Sequence, residues 1–193
     1  MPITWTSNPE ADRLLETSPL ALLIGLVLDQ QVKMEKAFSG PWELQKRLGH
    51  LDAARIAAMP PEDLDRVFRE RPALHRFPGS MARRVQELCA GIASQYGGEA
   101  GVVWQDVSSG KELAGRLKKL PGFGEMKVKI AMAVLAKKFG VRPPGWEAEA
   151  AQWHTVADVD TAEDMAQARE VKRAMKAEHM GVRAPKRPLR PSS

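Results

Sequence analysis

Apolar residues recur at three- and four-residue intervals along most of the chain, which is the spacing of amphipathic helices. In residues 20–28 the apolar side chains cover nearly every side of a helical wheel, so we expect a helix that its neighbours bury all round. In residues 80–96 one apolar face includes Cys89, which we therefore expect in the core. Alternating patterns that would indicate β-hairpins do not occur in the sequence. We predict an all-α fold.

Helix boundaries are marked by capping residues and prolines. The motifs NPE at 8–10 and SP at 18–19 each place a capping side chain before a proline, and they predict two helix starts. An extended stretch rich in Pro and Gly is expected at 142–159. Further helices, separated by Gly and Pro, are predicted over residues 41–48, 52–59, 61–69, 80–96 and 161–180.

The composition is that of a globular protein. The chain has 193 residues, of which 44% are hydrophobic and 27% are charged. Its longest apolar run, residues 20–28, is shorter than the ~20 residues that span a bilayer, so no membrane partner is expected. A single cysteine, Cys89, excludes an intramolecular disulfide and a four-cysteine iron–sulfur or zinc site. The start of the chain lacks the features of a secretion signal, and we expect a cytoplasmic, nucleoid-associated protein.

Positive charge is concentrated at the end of the sequence. The net charge is +5, and residues 181–193 contain four basic residues and no acid. We predict a flexible basic tail over 181–193, attracted to polyanions such as nucleic acid. A tail that only improves solubility is the alternative.

Residues 111–139 predict two helices joined by a tight turn. Pro121 cannot continue the first helix, Gly122 and Gly124 permit unusual backbone angles, and the second helix is expected from Glu125 to the residue before Gly140. Such glycines let a turn approach a phosphate closely, while the free N–H groups of the second helix point at the anion. An ordinary helical hairpin with capping glycines remains open from the spacing alone.

Two motifs give the chain a resemblance to a known family. LPGFG at 120–124 resembles the hairpin of the helix–hairpin–helix DNA glycosylases, which include endonuclease III and the 3-methyladenine glycosylases. LLIGLVLDQQVK at 22–33 resembles the family's core helix and its glutamine motif. The resemblance covers about residues 14–140. It is closest to a small branch of base excision repair proteins, through LDQQV at 28–32, LHRFPGSMA at 74–82 and FGVRPPGW at 139–146.

The resemblance implies a single two-lobed helical domain over residues 1–180 that binds duplex DNA and flips a damaged nucleotide into a cleft. The glutamine that fills the vacated stack falls on Gln31, with Gln30 as the adjacent alternative. Relatives bind a monovalent cation through hairpin carbonyls, here those of Lys118, Leu120 and Phe123, and no iron–sulfur cluster is expected. The implied hairpin contacts to DNA are Leu120, Gly122, Phe123, Gly124, Lys127 and Lys129.

Cleavage of a glycosidic bond requires a carboxylate near the sugar, since positive charge develops there. Family members carry an aspartate shortly after the second hairpin helix, but residues 140–146 contain none. The candidates are Glu147, Asp158 and Asp160, with capping of the predicted helix 161–180 as the alternative role of the two aspartates. Flipped bases are read by stacking, and the candidate base-pocket aromatics are Phe38, Trp42 and Trp146.

The bifunctional members have a lysine two residues after the last hairpin glycine, where this chain has Met126. We therefore predict a monofunctional glycosylase without lyase activity. A DNA-binding protein of the same fold that recognises lesions without excising them is the main alternative. A helical protein-interaction module without a DNA role is a third hypothesis.

Overall fold

The computed structural model describes residues 2–179. Within that range no strand is present, and the all-α prediction is confirmed. Two one-turn 3-10 helices, Ala100–Trp104 and Val156–Asp158, interrupt the order of the α-helices. The α-helices are α1 Pro9–Thr17, α2 Pro19–Leu28, α3 Met34–Leu48, α4 Ala53–Ala58, α5 Pro61–Arg69, α6 Pro78–Tyr96, α7 Gly110–Lys118, α8 Glu125–Lys138, α9 Trp146–Glu149 and α10 Ala162–His179.

The first two helices begin where the capping motifs predict. Asn8 accepts a hydrogen bond from the Glu10 N–H at 2.9 Å, and Ser18 accepts one from the Ala21 N–H at 3.2 Å. Both helices have proline in the first turn, where the missing N–H costs nothing. Local sequence therefore fixes these two starts.

Helix α2 is the centre of the core. Residues 20–28 are buried throughout, as predicted. At Gly25 an added Cβ would lie 2.7 Å from Cδ1 of Phe38, so the glycine lets α2 and α3 approach closely. Because α2 is enclosed on all sides, the position of its last turn is fixed by the core, and that turn forms part of the site described below.

Helix α3 begins seven residues before the predicted start, at Met34 rather than at residue 41. Pro41 lies inside this helix and is buried. Proline normally disfavours a helix interior because it removes a hydrogen bond and crowds the preceding turn. Here Met34, Ala37, Phe38 and Leu44 are buried on one helical face, and their packing outweighs that cost.

The stretch 142–159 is not extended throughout, and that prediction is wrong for α9 and the second 3-10 helix. The Ala151 N–H donates to the Lys129 carbonyl at 2.9 Å, and the Gly110 N–H donates to the Pro144 carbonyl at 2.8 Å. These long-range bonds attach the stretch to α8 and to the start of α7. A sequence pattern carries no signal of such tertiary partners.

Two groups of helices are distinct in their packing, and α2 contacts the first group through α6. Helix α6 packs on α4 and α5, whereas α8 packs on α7 and α9. Buried side chains of both groups join in one apolar cluster. Among the described helices, none is both long enough and apolar enough to cross a membrane. Met180 and the predicted basic tail 181–193 lie outside the described residues.

Candidate functional site

The two helices predicted around LPGFG are present, and a tight turn joins them. We call residues 119–124 the hairpin turn. Its Phe123 N–H donates to the Leu120 carbonyl at 3.1 Å, and Gly122 has a φ of 86°, a conformation that L side chains rarely adopt. Leu120 and Phe123 are buried and anchor the turn, while Gly122 and Gly124 are exposed.

The start of α8 presents open backbone to the surroundings. Gly124 precedes the helix, and no side chain caps the first N–H groups. These groups have no acceptor within the helix itself, and they carry partial positive charge. A Cβ added at Gly124 would meet no atom within 4 Å. The exposed carboxylate of Glu125 also lies at this helix start and opposes an approaching anion.

Lys127 is not available to a phosphate, so the structure corrects the DNA contact that the sequence predicted for it. Its Nζ donates to the Leu26 carbonyl and, at 3.3 Å, to the Val27 carbonyl. Burial lowers the pKa of Lys127 to about 8, although nearby Asp29 acts in the opposite direction. Lys127 therefore fastens the hairpin to the end of α2. Lys129, the other lysine of the predicted pair, is half-buried, and its side chain forms no such bond within residues 2–179.

The chain that follows α2 forms a second turn, which we call the glutamine turn (residues 29–33). Gln31 is exposed and has a φ of 54°, which is uncommon for a residue with a side chain. Gln30 is held: its Nε2 donates to the Val27 carbonyl at 3.0 Å, and its Oε1 accepts from Arg84 at 2.6 Å. Of the two candidate glutamines, Gln31 has the exposed side chain.

His75 fixes the backbone of the glutamine turn. Its Nε2 lies 3.1 Å from the Leu28 carbonyl and 2.9 Å from the Gln30 carbonyl. Its Nδ1 accepts from the Phe77 N–H at 3.0 Å, which assigns the proton to Nε2. Burial lowers the pKa of His75, so the ring stays neutral near pH 7 and donates to the turn.

The hairpin turn is brought into contact with the last turn of α2, which leads into the glutamine turn. A Cβ added at Gly122 would lie 3.3 Å from Cγ2 of Val27, and Lys127 binds carbonyls of the same α2 turn. The two motifs are about ninety residues apart in the sequence. The contact brings the exposed glycine backbone of the hairpin to the helix turn that precedes the exposed Gln31.

Helix α10 contacts the start of the glutamine turn and also lines a cavity. Asp29, at the start of the glutamine turn, has a side chain only 12% exposed and forms an ion pair with Lys172. One turn earlier on α10, Arg169 forms an ion pair with Glu35 of α3. Beside that pair is a cavity of about 320 Å³ between the N-terminal segment, α3 and α10. We call it the polar cavity.

Of the three candidate carboxylates, Asp160 is the one that lines the polar cavity. Its side chain is 49% exposed and accepts from Lys138 Nζ at 2.6 Å. The Asp160 carbonyl accepts from Thr4 Oγ1 at 3.2 Å, which joins the N-terminal segment to this rim. Asp160 is therefore held at the mouth of the cavity by contacts from two other elements.

The other two carboxylates lie in different surroundings. Asp158 caps the second 3-10 helix together with Thr155 and is paired with Lys137, so it does not cap the helix that follows residue 161 as the alternative expected. Burial acts to raise the pKa of Asp158, but the bonds from Lys137 and Thr155 hold it below the ordinary value. Glu147 is exposed in the short helix α9. Neither Asp158 nor Glu147 is among the residues that line the polar cavity.

The candidate base-pocket aromatics are also dispersed. Phe38 has no exposed surface and packs on Trp5 with 4.7 Å between ring centroids. It is therefore a core residue, and the structure corrects its predicted place in the base pocket. Trp42 is half-buried beneath Lys46, whose Nζ lies 4.1 Å from the ring centroid. Trp146 is half-buried at the start of α9, and its backbone lies against Gly110. Trp42 and Trp146 lie on different elements, α3 and α9.

The residues of the predicted cation site differ in exposure, and Cys89 lies in the core. Leu120 and Phe123 are buried and Lys118 is exposed, and the monovalent cation at their carbonyls stays a prediction. Among residues 2–179, no cluster of three or more His, Cys, Asp and Glu side chains could hold a metal ion. Cys89 is buried as predicted, and burial raises its pKa to about 12.

The sequence did not indicate three residues of the cavity: Trp5, Glu35 and Arg169. Glu35 lies in the part of α3 that Gly40 and Pro41 obscured, although the apolar spacing of Met34, Ala37 and Phe38 could have indicated a helix there. Trp5 and Arg169 have no local signal of a site.

A scan of protein-family models, a search of curated proteins and a search of solved structures gave no match for this chain.

Proposed function

We propose that this protein is a monofunctional base excision repair DNA glycosylase. The observation that carries the proposal is the contact between the hairpin turn and the end of α2. That contact brings the exposed backbone of Gly122 to the helix turn that precedes Gln31, an exposed polar side chain on a constrained backbone. A protein that flips a nucleotide needs both features on one surface, because it must grip the strand and fill the gap in the stack.

The grip on DNA would come from the backbone at the start of α8. The N–H groups after Gly124 are oriented by the helix, and partial positive charge attracts the phosphate. The exposed lysines of the hairpin segment, Lys118 and Lys119, add charge that is independent of base sequence. Binding through these groups depends on the phosphate backbone and therefore weakens as salt increases.

The reaction would use Asp160 at the mouth of the polar cavity. As the glycosidic bond breaks, positive charge develops on the sugar, and a carboxylate beside the sugar stabilises that charge or activates the attacking water. Lys138 orients Asp160. Lys127, whose ammonium is bonded to α2 carbonyls, is not placed as a free amine nucleophile, which supports base release without strand cleavage.

A lesion-binding protein without excision activity is the second candidate function. It is favoured by the lysine partners of both aspartates, Asp158 with Lys137 and Asp160 with Lys138. A carboxylate that is engaged in an ion pair has less negative charge to offer to a developing cation. The same DNA-binding surface would then serve recognition alone.

Excision assays distinguish these two functions. Duplexes that each contain one alkylated, deaminated or oxidised base are incubated with the protein, and alkali-labile abasic sites are measured. We expect product from at least one duplex and a loss of about 100-fold or more in Asp160→Asn, since general acid–base groups contribute factors of that order. Glu147→Gln and Asp158→Asn serve as controls. Binding without any product supports the second function instead.

The hairpin grip is tested with Gly124→Ala. Its φ of −75° suits alanine, and the new Cβ would touch nothing within 4 Å, so the variant should fold normally. A phosphate seated on this backbone would meet the methyl group, and DNA affinity should fall about tenfold. Gly115→Ala on α7, where a Cβ also meets nothing within 4 Å, is the matched control. Equal affinity of the two variants would remove the hairpin from the DNA interface.

A further inference from the structure

The second half of α10 carries a stripe of positive charge. Lys176 follows Lys172 by four residues and Arg173 by three, so the three side chains share one face of the helix. We call these three residues the basic stripe. Residues 169–176 contain four basic residues and one acidic residue. Arg173 and Lys176 are exposed and form no ion pair within residues 2–179, so their charge is available to a partner.

Contacts with the rest of the protein fix the place of the basic stripe. Met165 and Ala168 bury the apolar side of α10. Lys172, one turn after Ala168, forms an ion pair with Asp29 at the start of the glutamine turn. Lys176 lies one further turn along the helix, a rise of about 6 Å. The exposed cations therefore begin beside the glutamine turn and lead away from it.

Cations of two other helices lie around the same point. Burial lowers the pKa of Lys127 on α8, and Asp29 acts in the opposite direction. Lys172 and Arg84 of α6 lower that pKa further, so both lie within electrostatic range of the Lys127 ammonium. Arg84 is exposed and donates to a side chain of the glutamine turn at 2.6 Å. Three helices thus place positive charge around the end of α2, and the exposed Gln31 follows directly in the chain.

We propose that the basic stripe binds the phosphate backbone of duplex DNA beside the glutamine turn, as a second point of contact in addition to the hairpin. This inference rests on the proposed function, because it names a further part of the same DNA interface. Arg and Lys bind phosphates without regard to base sequence, and they fix the position of a protein on the duplex. An anionic lipid surface fits less well, since an interfacial helix inserts an apolar face and that of α10 is buried at Met165 and Ala168.

The first test is the double variant Arg173→Gln with Lys176→Gln in the full chain. Each phosphate contact contributes about 0.9 to the slope of log binding constant against log salt concentration. The slope should therefore decrease by about 1.8, and affinity at low salt should fall about tenfold or more. Arg13→Gln with Arg55→Gln removes the same charge from α1 and α4 and is the matched control. Arg173→Lys with Lys176→Arg keeps the charge and should keep the slope.

The outcomes separate this inference from the proposed function. Equal slopes in the first double variant and its control overturn the inference and leave the hairpin proposal standing, since Gly124→Ala tests the hairpin independently. A wild-type protein without salt-dependent affinity for duplex DNA overturns both. Vesicles that contain phosphatidylserine are the probe for a lipid surface. If the double variant loses vesicle binding and keeps its DNA affinity, the stripe belongs to a lipid contact and the inference is overturned.

The second test locates the stripe on the DNA. Cys89 is buried, so a cysteine introduced at the surface is the thiol that a photo-cross-linker labels in the folded protein. Ala177→Cys places the label next to Lys176 and keeps every cation of the stripe. It should cross-link to a duplex that contains one abasic-site analogue, within a few nucleotides of that site. Ala54→Cys on α4 is the control. Equal cross-linking of the two variants, or none from Ala177→Cys, overturns the inference.

Discussion

The two ends of α8 are both fastened by lysines, one half-buried and one buried, but to different partners. At the beginning of the helix, Lys127 binds backbone carbonyls at the end of α2. At the other end, Lys138, with a side chain 1% exposed, binds the Val159 carbonyl and the Asp160 carboxylate. One lysine thus joins the hairpin to the core, and the other holds a candidate catalytic carboxylate.

The difference shows how one helix can serve two parts of a site. Carbonyl dipoles compensate a buried ammonium less completely than a carboxylate does, and burial lowers the pKa of Lys127 to about 8. The hairpin attachment is therefore sensitive to pH in the neutral to alkaline range. At the other end, the lysine is paired with the carboxylate that it orients. The following predictions are ordered by the size of the expected effect.

The largest effect is expected in the pH dependence of stability at Lys127. Its pKa falls from 10.5 in the unfolded chain to about 8 in the folded protein. Between these values the unfolded chain binds more protons, so stability rises as pH increases from about 8 to 10.5. The gain should be about 3 kcal/mol. Urea unfolding across this range should show it in wild type and not in Lys127→Met; Lys129→Met is the control. Parallel profiles for wild type and Lys127→Met would contradict the prediction.

Lys138→Met tests the other end of α8. The change removes the ammonium that Val159 and Asp160 share, and we expect a loss of about 2 kcal/mol in unfolding free energy. Excision should fall as well, because Asp160 is no longer oriented. Lys137→Met is the control, since Lys137 is 38% exposed and pairs with Asp158 instead. Wild-type excision by a stable Lys138→Met variant would show that Lys138 does not position Asp160.

Gly122→Ala separates the fold of the hairpin from its contact with DNA. A φ of 86° strains alanine, and the new methyl group would press on Val27. The expected loss of stability is about 1–2 kcal/mol, measured by chemical denaturation. Gly124→Ala should leave stability unchanged and affect DNA affinity. Equal stability of the two variants would mean that the turn does not hold Gly122 in this conformation.

Glu125→Gln should give the smallest effect, an increase in DNA affinity. The carboxylate at the start of α8 opposes a phosphate there, and its removal should tighten binding about twofold to fivefold at low salt. The measurement is fluorescence anisotropy with a labelled duplex, and Glu87→Gln on α6 is the control. An identical gain in the control would assign the effect to net charge rather than to the hairpin.

Local chemistry in the sequence was sufficient for several elements. Capping by Asn8 and Ser18 predicted two helix starts, apolar residues on all sides predicted the burial of α2, and the glycines of the hairpin predicted its turn. Local chemistry did not predict the start of α3 correctly, because Pro41 is a helix breaker by local rules. Only the packing of the surrounding apolar face keeps Pro41 in the helix. Local chemistry also failed for Lys127, since a lysine near a predicted phosphate site is ordinarily expected to face solvent.

By itself, the sequence determined the helical class of this protein and the identity of the motifs, because caps, prolines, glycines and apolar spacing act within a few residues. Only the tertiary structure decided which residues meet: Lys127 with the end of α2, Asp160 with Lys138, and Trp5 with Glu35 and Arg169 around one cavity. These contacts join segments far apart in the chain. Their energies come from burial and hydrogen bonding in the assembled core, and no short stretch of sequence encodes them.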